Sequence, residues 1–273
     1  MKRAVLFLLL NLTICAIYAQ SQPVSQRLDA LLNDEILKTS EVGITVFDLT
    51  MGESLYRYQD EKLYRPASIE KVITSVTALA RLGADYTMDT HLRYTGKIEN
   101  DTLKGNLYLI GGFDPELMDE DLDSLVAAVE AQGIRYVTDT IAADVSMMDS
   151  VYWGPGWSWD DTPYSFQPYL SPLMLNRGCV DVSVSPAQKD SLPTVRCTPV
   201  SDYYRVCNRA VSRNPQAGKL EITRNWLSNG NVITVSGNVS GPYTGQVNIY
   251  TSKDFLFHTF IQRLEEKGIT SGV

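Results

Sequence analysis

The sequence of 273 residues has little of what metal and triad chemistry needs: 2 histidines and 4 cysteines. His91 and His258 stand in no ligand spacing with the cysteines, and neither has the context of a Ser-His-Asp arrangement, so both read as structural. No metal or organic cofactor is implied. Positive charge is also scarce. A formal net charge of −8 argues against nucleic acid and against an anionic membrane surface as partners. Past residue 19 no segment is apolar enough to cross a bilayer. No internal repeat or low-complexity linker is present.

What is there begins with an export signal. Lys2 and Arg3 form a basic head, Ala4 to Ala19 is mostly apolar, and small residues precede Gln20 and Ser21. This predicts a signal peptide over residues 1–19, cut after Ala19. A membrane anchor competes, but the run is short for a span. Leu12-Thr13-Ile14-Cys15 weakly resembles a lipid-attachment box, in which Ile14 is too bulky. Loss of Lys2 and Arg3 takes the net charge from −8 to −10. The mature protein is expected in the periplasm or cell envelope, with no transmembrane span. An oxidising compartment permits a disulfide. Cys197 and Cys207 are close enough in sequence to share a hairpin and are the preferred pair, leaving Cys179 as a buried thiol.

Periodicity predicts an amphipathic helix over Val24 to Lys38 and a hairpin of Gly43 to Asp48 with Ser54 to Tyr58. A second helix runs from Ser68 to Leu82, ended by Gly83. Strands follow at Leu92 to Tyr94 and Leu103 to Ile110, a helix at Leu122 to Ala131, and a strand region at Tyr136 to Val145. Ser150 to Pro172, rich in Trp, Pro, Tyr and Asp, has no period and reads as an ordered loop. Its Trp153, Trp157 and Trp159 read as packing in preference to sugar stacking. Strands recur at Val180 to Val184, Lys219 to Trp226, Val232 to Val239 and Gly245 to Thr251. A helix over Asp254 to Glu266 and a strand from Ile269 to Val273 complete the order. The fold class is α+β.

The sharpest chemical signal is Pro66-Ala67-Ser68-Ile69-Glu70-Lys71. Residues three apart on a helix share a face, so Lys71 can reach Ser68. A serine hydroxyl becomes a nucleophile when a neighbouring base takes its proton. The positive end of a helix disfavours a protonated lysine, which suits Lys71 to that task. The competing reading is that Ser68 caps the helix. A capping box, however, would place Glu or Gln where Lys71 stands.

With Gly111-Gly112-Phe113-Asp114-Pro115, Pro155-Gly156-Trp157-Ser158-Trp159-Asp160-Asp161 and Leu173 to Val184 in the same order, Ser68-x-x-Lys71 resembles the class C low-molecular-mass penicillin-binding proteins. These are D-alanyl-D-alanine carboxypeptidases and endopeptidases. The resemblance covers nearly the whole mature chain. It implies that Ser68 attacks the carbonyl between two D-alanines of a peptidoglycan stem peptide and forms an acyl-enzyme, with Lys71 as proton acceptor. The Ser68 N–H would be one oxyanion donor. β-Lactams would be covalent inhibitors. Asp161 and Phe166 match positions that contact the diamino acid of the substrate. A loop-stabilising carboxylate stands equally open for Asp161. Asp114-Pro115 reads as a turn.

The resemblance also implies a serine penicillin-recognising catalytic domain split by a large strand-rich insertion. Residues 20–90 would be its first part, 91–251 the insertion, and 252–273 the start of a truncated return. The family's later Lys-Thr-Gly motif is not in this sequence. Ser236-Gly237-Asn238 has the letters of its Ser-x-Asn motif but lies in the alternating run Val232 to Val239, so it is rejected. The expectation is an N-terminal portion with the C-terminal part missing, weakly active or inactive alone. Two alternatives remain: a related serine β-lactamase or esterase, and a non-catalytic envelope binding module.

Overall fold

A computed structural model describes residues 23–272. The signal read at 1–19 and the lipid-box alternative lie outside the described residues. The chain divides into two compact units, residues 1–85 and 86–273. Its elements mix helices with several small sheets.

In the first unit, helix α1 (Val24–Leu31) and the short helix α2 (Glu35–Lys38) stand where one helix is predicted. The break falls at the polar pair Asn33-Asp34. The Asp34 carboxylate accepts the Ile36 N–H at 3.0 Å and so starts α2 afresh. Strands β1 (Ile44–Asp48) and β2 (Glu53–Tyr58) form the expected antiparallel hairpin, with an irregularity at Val46/Phe47. The Tyr56 hydroxyl donates to Asp29 at 2.6 Å and ties β2 to α1. Ser68 lies in a 3-10 turn, Ala67–Ile69, and helix α3 (Glu70–Leu82) follows it. Gly83, at φ 87°, accepts the left-handed backbone that stops α3. The apolar stripe of α3 is not covered: Val72, Ile73, Val76 and Leu79 are all exposed.

The second unit holds the core. Two three-stranded sheets run β10-β9-β14 and β11-β13-β12, from β9 (Cys179–Ser185), β10 (Thr194–Thr198), β11 (Arg205–Ser212), β12 (Glu221–Arg224), β13 (Val232–Val239) and β14 (Tyr243–Asn248). A third, β3-β6-β8, joins His91–Tyr94, Leu107–Ile110 and Ile141–Asp144. A four-stranded sheet has the order β15-β7-β5-β4, from Thr270–Ser271, Tyr136–Val137, Thr102–Lys104 and Lys97–Glu99. Helix α4 (Asp119–Ala131) buries Leu122, Val126 and Val129, spaced to fall on one face. Helix α5 (Ser252–Glu266) buries Phe255, Leu256, Phe260 and Leu264. Arg263 on α5 bonds to Asp119 and, at 2.7 Å, to Asp123, and so joins the two helices.

Several expectations are corrected. The single strand Leu103 to Ile110 is two, β5 and β6, in different sheets. Gly105 between them passes so close to Thr95 that a Cβ would lie 2.0 Å from its carbonyl oxygen. Tyr136 to Val145 likewise divides into β7 and β8. Strands β10 and β11 add to those expected: β10 alternates, but over only two apolar residues, Val195 and Cys197, and in β11 Asn208 and Arg209 interrupt the apolar alternation. Cys197 and Cys207 do not share a hairpin: they lie on β10 and β11, in separate sheets, and are free thiols. Cys179 is a buried free thiol, as expected. Residues 252–271, expected to begin a return to the first region, pack within the second unit. The side chains of α5 join its core, and β15 pairs in parallel with β7.

Candidate active site

The chain enters the serine turn through Pro66, and Ala67 takes φ 45°. A non-glycine residue in the left-handed region carries strain of about 1–3 kcal/mol, and such residues gather where geometry serves function. The strained turn presents Ser68 just ahead of α3. Lys71 lies in the first turn of α3, and its Nζ donates to Ser68 Oγ at 3.0 Å. Among the described residues the Ser68 hydroxyl bonds to Lys71 and makes no capping bond to the helix backbone. Among the described residues Lys71 has no carboxylate partner.

Asp161 and Phe166 belong to the second unit. Asp161 closes the 3-10 turn Trp159–Asp161, inside the long loop that the sequence predicts. Among the described residues its carboxylate has no hydrogen-bond or ion-pair partner. The Asp161 carbonyl accepts the Tyr164 N–H at 2.9 Å, so the backbone turns without help from the side chain. Phe166 is 70% exposed and stacks on Tyr164, with ring centroids 5.4 Å apart. The four predicted site residues thus form two pairs in separate units: Ser68 with Lys71, and Asp161 with Phe166 on one loop.

The loop also holds a feature that the sequence did not reveal. Trp153 and Trp157 pack edge to face at 5.4 Å, as expected of packing residues. Trp159 does not follow them. It is 67% exposed and packs against Trp226, with ring centroids 5.1 Å apart and the planes tilted by 39°, beside a surface hollow that both line. Trp226 comes from the turn after β12, far away in sequence, and no local pattern links the two. Arg224, at the end of β12, is buried and donates to Asn248 and Gly230. Burial lowers its pKa from the ordinary arginine value.

His258 bonds to Asp202, and His91 lies on β3. Among the described residues no group of His, Cys, Asp or Glu is arranged to hold a metal ion.

The sequence model described as the D-Ala-D-Ala carboxypeptidase 3 (S13) family matches residues 24–272. The D-alanyl-D-alanine carboxypeptidase of Actinomadura sp. (strain R39) is 30% identical over 262 residues, covering 92% of this chain and 48% of that protein. The D-alanyl-D-alanine carboxypeptidase DacB of Haemophilus influenzae is 29% identical over 148 residues, 54% of this chain and 31% of the relative. The chain therefore spans about half the length, or less, of these curated relatives. Among solved structures, penicillin binding protein 4 (dacB) from Haemophilus influenzae superimposes with a TM-score of 0.66 at 23% identity, over 85% of this chain and 51% of that one. The same protein complexed with a novel β-lactam gives 0.60 at 21% identity, over 86% and 50%. At these identities the structures establish likeness of fold.

Proposed function

Given that the chain belongs to the D-Ala-D-Ala carboxypeptidase 3 (S13) family, we propose that it is part of a serine-type D-alanyl-D-alanine carboxypeptidase and endopeptidase acting on peptidoglycan stem peptides. The observation that carries this reading is the 3.0 Å contact between Lys71 Nζ and Ser68 Oγ at the head of α3. Lys71, in its neutral form, takes the hydroxyl proton as Ser68 Oγ attacks the carbonyl carbon between the two D-alanines. The tetrahedral intermediate collapses, the terminal D-alanine leaves with a proton, and an ester on Ser68 remains. Water then hydrolyses that ester. A β-lactam carbonyl enters the same way, and its ring nitrogen, still tethered, leaves Ser68 acylated.

Asp161 is assigned the cationic end of the diamino acid, with Phe166 beside it. A carboxylate free of local partners supports this role over that of a loop brace. The divided catalytic domain is part of the same proposal, with the first unit as its serine-bearing portion and the second as the insertion. The exposed stripe of α3 supports it, since an amphipathic helix gains most of its stability by burying such a face. The basic head and apolar stretch of residues 1–19 support export to the periplasm or envelope.

The test is fluorescent penicillin labelling of the source cell envelope, read beside an antibody against this chain. A labelled band that carries the antibody signal, and loses its label in a Ser68→Ala strain, is expected. An antibody band without label in the unaltered strain would overturn the catalytic reading in favour of a non-catalytic envelope module.

A further inference from the structure

We propose that Arg224 and Asn248 are positioning residues: they fix the loop that carries Asp161 and Phe166, and through it the preference for a cationic diamino side chain. The proposal rests on the role given above to Asp161 and Phe166.

The loop depends on support from elsewhere. Between Asp144 at the end of β8 and Cys179 at the start of β9, its regular structure amounts to two 3-10 turns, Trp159–Asp161 and Asn176–Gly178. Short backbone bonds turn the chain at Asp161, Tyr164 and Gln167, but none of them joins this stretch to a sheet. Buried side chains do. Asn248, the last residue of β14, is fully buried. Its backbone N–H donates to the Pro163 carbonyl at 3.0 Å, and its side-chain amide donates to the Gln167 carbonyl at 2.7 Å. Gln167, also buried, passes the tie on: its side-chain amide donates to the Ser158 carbonyl at 2.8 Å. The held carbonyls of Ser158, Pro163 and Gln167 bracket Asp161 and Phe166 in the chain.

Arg224 orients Asn248 in turn. Its Nε donates to the Asn248 carbonyl at 3.1 Å and to Asn248 Oδ1 at 3.0 Å. With Oδ1 committed to the guanidinium, the amide nitrogen is left facing the loop. Arg224 is itself held by the Gly230 carbonyl, 3.0 Å from Nη1, and its guanidinium lies over the Tyr169 ring at 5.7 Å. Core stability is a poor reason for this arginine. Its Nη2 is buried with no partner among the described residues, and an apolar side chain of similar volume often serves a core as well as a buried charge does. An apolar residue would not turn the Asn248 amide toward Gln167. The Asp161 carboxylate, without a bond of its own among the described residues, goes where this backbone carries it. A misplacement of about 1 Å can cost about 10²-fold in rate.

The test uses protein purified from the source cell envelope and two peptides: Nα-acetyl-L-lysyl-D-alanyl-D-alanine, whose Nε amine is free, and its Nε-acetylated counterpart. The wild type is expected to prefer the free amine, and Asp161→Asn to lose that preference. Asn248→Asp keeps the acceptor for Arg224 and removes the donor to Gln167; Arg224→Lys removes the guanidinium that orients Asn248. In both, the preference should fall about tenfold through the KM of the free-amine peptide, with kcat on the acetylated peptide and penicillin labelling unchanged. Gln167→Met, which cuts only the tie to Ser158, guards against a folding failure in the other two and should shift the preference in the same direction. A preference intact in the folded variants would overturn the proposal and leave the role of Asp161 standing. So would a loss of kcat and labelling in step with the preference, the pattern of a merely structural role. A wild type that does not distinguish the two peptides would overturn the Asp161 reading itself, and the proposal with it.

Discussion

Lys71 Nζ stands 3.0 Å from Ser68 Oγ across one helical turn, and among the described residues no carboxylate competes for the amine. The contact arises locally. The strained Ala67 sets the direction of the turn, and the helical rise brings Lys71 back over Ser68.

Under the proposed function, Ser68→Ala should abolish penicillin acylation. Lys71→Ala should slow acylation by about 10²–10⁴-fold, the usual worth of a positioned base. Glu70→Gln, on the same turn but outside the pair, should change the rate less than about threefold if base catalysis is confined to Lys71. Stopped-flow acylation with a reporter β-lactam reads all three.

The thiols offer a check on the cysteine correction. Burial pushes the Cys179 thiol up to about 12 and the Cys197 thiol up to about 11. Both should stay protonated at neutral pH and resist alkylation in the native protein. In denaturant without reductant, Cys179, Cys197 and Cys207 should all alkylate, as intact-mass analysis would show. A disulfide between Cys197 and Cys207 would leave both unmodified.

The Tyr56–Asp29 bond has a pH signature. Accepting the bond, the Asp29 carboxylate pushes the Tyr56 hydroxyl from 10.0 up to about 12. A folded-state pKa above the unfolded value gives stability that is fully present below pH 10.0 and lost as pH rises through about 12. Burial also raises Tyr64, Tyr203 and Tyr204, so ultraviolet titration should show several late-titrating tyrosines, and Asp29→Asn should move one of them, Tyr56, earlier.

The two units should respond differently to substitution. Phe260→Ala, in the core of the second unit, should cost about 3–5 kcal/mol. Arg224→Ala should cost about 3 kcal/mol in the same unit, because it leaves the oxygens of Asn248 and Gly230 without their donor. Val76→Ser, on the exposed stripe of α3, should stay within about 0.5 kcal/mol in this chain. Urea unfolding followed by circular dichroism measures each.

Short-range features were the ones open to reading from sequence. The β1-β2 hairpin, α3, α4 and α5 each carry their own period, and Ser68 with Lys71 needs only one helical turn to meet. Spacing along the chain therefore determined them. Where an element depended on remote partners, the sequence was silent or misleading. Arg205–Ser212 becomes a strand because β13 lies alongside it in parallel, although arginine and asparagine mask its alternation. Cys197 and Cys207 look like neighbours, yet sheet pairing sends them apart. Residues 252–271 join the second unit because Phe255, Phe260 and Leu264 find their core there, and β15 finds its partner in β7. Trp159 and Trp226 face each other only because the loop and the turn after β12 converge. Bonding along the chain is fixed by residue order, but burial and strand pairing are decided by whichever distant surfaces the folded chain brings into reach.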